Sequence, residues 1–331
     1  MIKFIKSRIF SFLLGISIAS VTGLYLHIHD KALLSDLVSR VSEKREGGFN
    51  LISPLLECAQ DETSFKELTP FKQRVIDLIN GYKKELKISE VSVYFRDMNN
   101  GPWFGINERA QFSPASLLKV PVMISYLKNA EHDPGILNKK YTYKSKEPIA
   151  PNLFIDIPDE YKLEDGKEYT VEELIEAMIT ISDNNASSIL SLNTDPFLLN
   201  NFFLKLGLTI ADSEENFMTT KDYASFFRIL YNASYLDKDM SEKALSLMTP
   251  KLFKYGIVNT VPLEIPVASK FGIRLISENE KQFHDCDIVY YPGHPYSLCI
   301  MTRGDDWENM VMVLQNISLL VYKEIDSQFN R

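Results

Sequence analysis

Phe112-Ser113-Pro114-Ala115-Ser116-Leu117-Leu118-Lys119 is the stretch that decides how this chain reads. A serine and a lysine three residues apart on a helix lie on one face, one turn apart. Serine is a poor nucleophile until a base removes its proton. A lysine whose pKa is lowered by burial or neighbouring charge can be that base. A serine at a helix start also sets its own N–H and the positive helix end against a developing oxyanion. Taken alone, the pattern reads first as a capping or core-edge serine. Ser125-Tyr126-Leu127-Lys128 repeats the spacing nine residues on, late in the same apolar segment, where the helix dipole has the wrong sign for an oxyanion.

Two further motifs follow in the chain. Ser182-Asp183-Asn184 comes after a helical pattern that starts at Thr170, with Glu173 completing a capping box. Alone it reads as a turn with an N-cap. Facing Ser116, its Ser182 hydroxyl would pass a proton and its Asn184 amide would hold a substrate amide. Lys270-Phe271-Gly272 stands in strand-like text. Glycine there lets a ligand approach the strand closely, and lysine supplies positive potential for an anionic substrate. Lys254-Tyr255-Gly256 competes with the same spacing but reads as a loop.

Outward from these motifs, the ends of the chain look alike and the middle differs. Thr69 and Pro70 open a helix with Val75, Ile76, Ile79 and Tyr82 at helical spacing. Residues 89–97 alternate, with Val91, Val93 and Phe95 on one face, and a turn at 99–102 leads to a partner strand at 103–106. Past the middle, strands are expected at 265–273, 287–291 and 296–302, and a closing helix from Asp306 with the stripe Met310, Leu314, Ile317, Val321. Residues between read as helices, with one starting after Met218-Thr219-Thr220. The order predicts an α+β fold: one lobe built from both chain ends, a helical lobe inserted between, and a cleft where they meet.

Composition narrows the function. Of 331 residues, 45% are hydrophobic and 24% charged, with 36 basic and 44 acidic side chains for a net charge of -8. That is globular text and speaks against nucleic acid as the default partner. Residues 9–28 carry no charge except His27 and follow Lys3, Lys6 and Arg8. At about 1.5 Å per residue the run matches a bilayer core of about 30 Å, and the leading charges favour a body on the outer side. We therefore expect residues 1–29 to be a membrane anchor, with a cleaved signal and a buried helix as alternatives. Residues 30–63 read as tether and lead-in, with a polar linker at 42–48. Cys58, Cys286 and Cys299 form no disulfide framework; one pair plus a thiol is open, and three separate thiols is the simpler reading. His284 beside Cys286 lacks further ligands at metal spacing and reads as a loop histidine. Arg274 and Arg303 read most simply as surface charges, with positive charge for a substrate carboxylate as the alternative, and Tyr290, Tyr291 and Tyr296 as strand packing.

The three motifs in order resemble the signature set of the class A beta-lactamase family, within the superfamily that includes penicillin-binding proteins. The resemblance runs from Ser64 to the end and implies a domain at 64–331, with an α/β lobe at 64–111 and 251–331 and a helical lobe at 112–250. It implies that Ser116 attacks an amide or lactam carbonyl, Lys119 activates it, Ser182 relays a proton to the leaving nitrogen, and Lys270 holds the substrate carboxylate. Asn184 would orient the substrate amide beside Gly272, the N–H groups of Ser116 and Ile273 would form the oxyanion hole, and no metal or cofactor is required. The chain departs from the pattern twice. The family's deacylating glutamate has no clear counterpart, only Glu214 and Glu215 in a short stretch that otherwise reads as a solvated loop. Phe271 also stands where a hydroxyl residue is expected, and it cannot donate a hydrogen bond. Three functions follow as expectations: a beta-lactam hydrolase with impaired deacylation, a carboxypeptidase-like enzyme acting on peptidoglycan stem peptides, and a non-catalytic cell-wall binding protein.

Overall fold

Alternation of side chains builds the sheet, and apolar stripes fasten helices to both its faces. The computed structural model describes residues 43–58, 69–85, 88–99, 101–146, 157–208, 218–250 and 252–329. The expected anchor at 9–28 lies outside the described residues, and no helix among them is long and apolar enough to cross a membrane. Helix α1 (Thr69–Glu85) leads into strands β1 (Glu90–Asp97) and β2 (Trp103–Ile106). After the helical middle come β3 (Val267–Ser277), β4 (Glu280–Val289) and β5 (Tyr296–Gly304), and then the closing helix. The five strands form one antiparallel sheet in the order β2-β1-β5-β4-β3. The two chain ends meet in register, with Val91 opposite Thr302 and Tyr94 opposite Cys299. The lobe expected from both ends is therefore one sheet, and β3, which carries Lys270, is at its edge.

The middle supplies helices α2 (Lys119–Ala130), α3 (Val171–Thr180), α4 (Asn184–Asn193), α5 (Pro196–Lys205), α6 (Thr220–Tyr231) and α7 (Lys238–Leu247), and α8 (Trp307–Phe329) ends the chain. Val120 to Leu127 of α2 are all buried, so this helix is apolar all round and forms the centre of the helical block. Thr170, Thr219 and Asp237 cap α3, α6 and α7 through side-chain oxygens, each such cap stabilising by about 1 kcal/mol. On the other face of the sheet, Phe71, Val75 and Ile79 of α1 pack with Val313, Leu314, Ile317 and Val321 of α8. Residues 43–58, within the stretch expected as tether and lead-in, form a short hairpin of Glu43–Arg45 with Leu55–Cys58. It is held by the Glu242 carboxylate, which accepts from the Leu51 and Ile52 amides at 3.0 Å each, and by Arg45, which donates to Asn232 Oδ1 at 3.0 Å.

Three readings are corrected here. β4 begins at Glu280 rather than near Asp287. It is buried on both faces from Gln282 onward, so its His284, Asp285 and Asp287 hide the alternation that betrays a strand. His284 is thus a buried strand residue, not a loop histidine. Cys286 and Cys299 face each other across β4 and β5 and form a disulfide, so the three-thiol reading fails; proximity in register, which sequence spacing conceals, brings them together.

Candidate active site

Ser116 sits in a single 3-10 turn, Ala115–Leu118, that runs into α2 at Lys119. With three residues per turn, positions i and i+3 eclipse, so Ser116 and Lys119 share one side of the chain. Ala115, just before the serine, has φ of +48°, a left-handed conformation that costs a non-glycine residue about 1–2 kcal/mol. Contacts from the sheet and α6 hold this turn. The Ser113 amide donates to Gln282 Oε1 at 2.9 Å, and His284 Nε2 donates to the Ser113 carbonyl at 3.0 Å. Burial lowers the His284 pKa to about 4, so its imidazole is neutral. Tyr223 Oη donates to the Leu117 carbonyl at 3.1 Å. Gly272 of β3 presses on the same turn, since a Cβ there would lie 2.9 Å from both Leu117 Cγ and the Pro114 carbonyl oxygen.

The Ser182-Asp183-Asn184 segment joins α3 to α4. Ser182 is fully buried at φ of +58°. Asp183 is the N-cap of α4, its Oδ1 accepting from the Ala186 amide at 2.9 Å. Its other oxygen accepts from Tyr143 Oη at 2.8 Å. Asn185 reaches the same tyrosine at 3.4 Å and accepts from the Lys146 amide at 2.9 Å. The turn and N-cap reading holds for this segment: the cap fixes the loop, and the loop points Ser182 and Asn184 at Lys119.

Lys119 Nζ donates to the Ser182 carbonyl at 2.6 Å, Ser182 Oγ at 3.0 Å and Asn184 Oδ1 at 2.7 Å. Lys270 Nζ donates to Ser182 Oγ at 3.1 Å and to the Phe271 carbonyl at 3.2 Å. The expected contact of Lys119 with Ser116 Oγ is replaced by these bonds across the cleft, because the buried amine takes the nearest oxygens, which belong to the Ser182 loop. Burial lowers the Lys119 pKa from 10.5 to about 7, with Asp183 opposing. Burial also drives Lys270 well down, helped by the neighbouring Lys119 charge and opposed by Asp285. Two ammonium groups on one hydroxyl repel, so one amine is readily neutral and able to take a proton, and the Ser182 hydroxyl lies between them.

Of these groups Lys119 and Asn184 border a cavity of about 440 Å³, lined also by Ser116, Phe271, Ile273 and Arg274, among others, while Ser182 and Lys270 lie buried behind its wall. Ser116 is half-buried at its wall. Arg274 is exposed on its rim, whereas Arg303 is tied to Glu90 at 2.9 Å and to the Gln111 carbonyl, away from the cavity. Phe271 stacks face to face on Phe253, ring centroids 3.8 Å apart, and its own ring lies 4.2 Å from Lys270 Nζ. Glu214 and Glu215 lie outside the described residues. The rival motifs are accounted for elsewhere. Ser125 bonds the Pro121 carbonyl and Lys128 pairs with Glu131, so neither faces the cleft. Gly256 backs onto Asp285, whose Oδ2 a Cβ there would strike.

Sequence reasoning missed the supports: Tyr143, Gln282, Tyr223 and Asp285. Asp285 is buried behind β3, accepting from the Ile257 amide at 2.7 Å and Ser269 Oγ at 3.3 Å. Burial pushes its pKa up to about 6. No local pattern marks these residues, because each acts through a partner distant in the chain. Among the described residues no group of three or more His, Cys, Asp or Glu is placed to hold a metal ion.

Solved structures carry the same fold. A class A beta-lactamase from Mycobacterium abscessus superposes with a TM-score of 0.63 at 19% identity, covering 76% of this chain and 99% of the other. A beta-lactamase from Chitinophaga pinensis gives 0.66 at 19%, covering 77% and 99%. A variant of PBP-A in an acyl-enzyme complex with penicillin G gives 0.65 at 19%, covering 80% and 98%. A comparison with curated protein sequences finds no match. A match to the family spans residues 70–325, from the first turn of α1 into α8, and so takes in all three motifs. On that span, this chain belongs to the Beta-lactamase enzyme family.

Proposed function

We propose that this protein is a serine hydrolase of the class A beta-lactamase type that forms an acyl-enzyme through Ser116 and releases it slowly. The observation that carries the reading is the sharing of one buried hydroxyl, Ser182 Oγ, by Lys119 and Lys270 beside the Ser116 cavity. Neutral Lys119 takes the Ser116 proton as Oγ bonds to the lactam carbonyl carbon. The N–H groups of Ser116 and Ile273 stabilise the oxyanion. As the C–N bond breaks, Ser182 gives its proton to the leaving nitrogen and is reprotonated from a lysine ammonium. Asn184 orients the substrate amide, and Lys270 with Arg274 attracts its carboxylate, since Phe271 supplies no hydroxyl there.

Hydrolysis of the ester needs a positioned water and a base. The sequence offers only Glu214 or Glu215 for this, without the family's usual surroundings. Loss of such a base costs about 10²- to 10⁴-fold in the step it serves. Intact mass spectrometry after mixing with penicillin G tests the reading: a rapid adduct that decays slowly is expected, and Ser116→Ala should show none. Steady hydrolysis with no accumulating adduct would overturn slow deacylation. Absence of any adduct or turnover, together with release of a terminal residue from a stem peptide, would favour the carboxypeptidase-like reading. We also place the body outside the cytoplasm, a reading supported by the Cys286–Cys299 disulfide, which persists in oxidising compartments. Recovery of the full-length chain as a soluble cytoplasmic protein would overturn it.

A further inference from the structure

We propose, resting on the acyl-enzyme reading above, that Phe271 is a specificity-determining residue of this site and fits it to acyl donors that are neutral where penicillin G carries its carboxylate.

Burial and saturation withdraw Lys270 from the cavity. An ammonium group has three N–H donors and no acceptor. Lys270 Nζ directs two of them to Ser182 Oγ at 3.1 Å and the Phe271 carbonyl at 3.2 Å, and the Phe271 ring, its centroid 4.2 Å away, is the third neighbour. The residue is 1% exposed and is not among those that line the cavity. A substrate carboxylate would have to displace a protein partner to reach it. Packing holds the ring in place, since Phe271 stacks on Phe253 with centroids 3.8 Å apart and both are buried in the core that α1 and α8 share with the sheet. A hydroxyl side chain at 271 would offer a donor of its own, and phenylalanine offers none.

The remaining cations do not replace Lys270. Lys119 lines the cavity, but its Nζ is bonded to the Ser182 carbonyl, Ser182 Oγ and Asn184 Oδ1. Among the described residues that line the cavity, this leaves Arg274, which is exposed at the rim. An exposed ion pair is screened by water and changes a rate about fivefold at most. The lining otherwise includes Leu118, Val122 and Ile273. A carboxylate brought against such a wall loses hydration without gaining a partner, whereas an ester or amide loses far less.

Rapid-mixing kinetics read by intact mass spectrometry compare penicillin G with its methyl ester, each acylation rate divided by that compound's own rate of alkaline hydrolysis. Acid and ester should then differ by no more than about fivefold. Phe271→Thr introduces a hydroxyl and removes the ring beside Lys270, so the acid-to-ester ratio should rise about tenfold or more, as for a charge-assisted bond. The ratio is taken within one preparation, so a partly folded variant still reports it, and the parent arm stands whether or not Phe271→Thr folds. Arg274→Gln should move the parent ratio by about fivefold at most. An acid preferred by more than about tenfold in the parent, an unchanged ratio in folded Phe271→Thr, or a fall of about tenfold in Arg274→Gln would each overturn the proposal. A third compound, p-nitrophenyl acetate, separates the proposal from the reading on which it rests. It is a neutral ester, and transfer of its acetyl group to Ser116 Oγ releases nitrophenolate. Acetylation lost in Ser116→Ala, with no adduct from either penicillin, overturns the beta-lactam reading and supports selection of neutral donors. No adduct from any of the three compounds overturns both.

Discussion

Tyr143 Oη donates a hydrogen bond of 2.8 Å to Asp183 Oδ2, and both residues are fully buried. The bond ties the segment after the short strand Lys140–Thr142 to the cap of α4, and so to the loop that presents Ser182. Asp183 is also the charge that opposes the burial of Lys119. One interaction thus joins packing, loop geometry and the electrostatics of the proposed base.

Tyr143→Phe keeps the ring and removes that bond together with the longer one that Tyr143 Oη accepts from Asn185 at 3.4 Å. Hydrogen bonds to charged groups contribute about 1.5–3 kcal/mol, and urea unfolding should show a loss of that order. Acylation by penicillin G should slow as well, because the Ser182 loop loses its restraint. Unchanged stability and unchanged acylation together would show that the loop is held by other means.

The proposed base gives a pH dependence with a definite sign. Lys119 is neutral only above about pH 7, so the acylation rate should climb about tenfold per pH unit below 7 and level off above it. Stability follows the same group. The folded pKa lies below the ordinary 10.5, so between about 7 and 10.5 the unfolded chain binds more protons than the folded one. The penalty of the buried charge is therefore full below about 7 and is relieved as pH rises to 10.5. Lys270 acts in the same direction. Lys119→Met should flatten the stability profile and abolish acylation; a flat acylation profile in the parent from pH 5 to 9, a span of about four units, would argue for another base.

Gly272→Ala should damage the site through sterics alone. The added Cβ meets the Pro114 backbone oxygen at 2.9 Å, and backbone cannot swing aside as a side chain does. Overpacking of this kind costs about 1–3 kcal/mol. Either β3 or the Ser116 turn must move, and a shift of about 1 Å can slow catalysis about 10²-fold. Thermal denaturation and acylation rates should both fall, and wild-type values for either would contradict the contact.

The Cys286–Cys299 bridge closes a separation of 13 residues between adjacent strands. In the chain-entropy account such a loop contributes about 3 kcal/mol. The double variant Cys286→Ala, Cys299→Ala should unfold at lower denaturant by that order. Alkylation of the denatured parent without reductant should leave both cysteines unlabelled; labelling of either would deny the bridge.

The three motifs, the terminal strands and helices and the α+β class were all legible in the sequence, because each is a local regularity. Val91, Val93 and Phe95 alternate with period two, Met310, Leu314, Ile317 and Val321 repeat at helical spacing, and Thr170 with Glu173 announces a helix start. Strand β4 was only half legible, since burial on both faces removes the contrast that alternation depends on, and its polar residues serve partners on other elements. The disulfide and the roles of Tyr143, Gln282, Tyr223 and Asp285 were not legible at all. Each depends on an atom from a segment 13 to 169 residues away. The sequence alone determined which groups could do chemistry. Tertiary structure decided that Lys119 and Lys270 would meet on Ser182 rather than on Ser116, because only folding buries the two amines where the nearest oxygens belong to another loop.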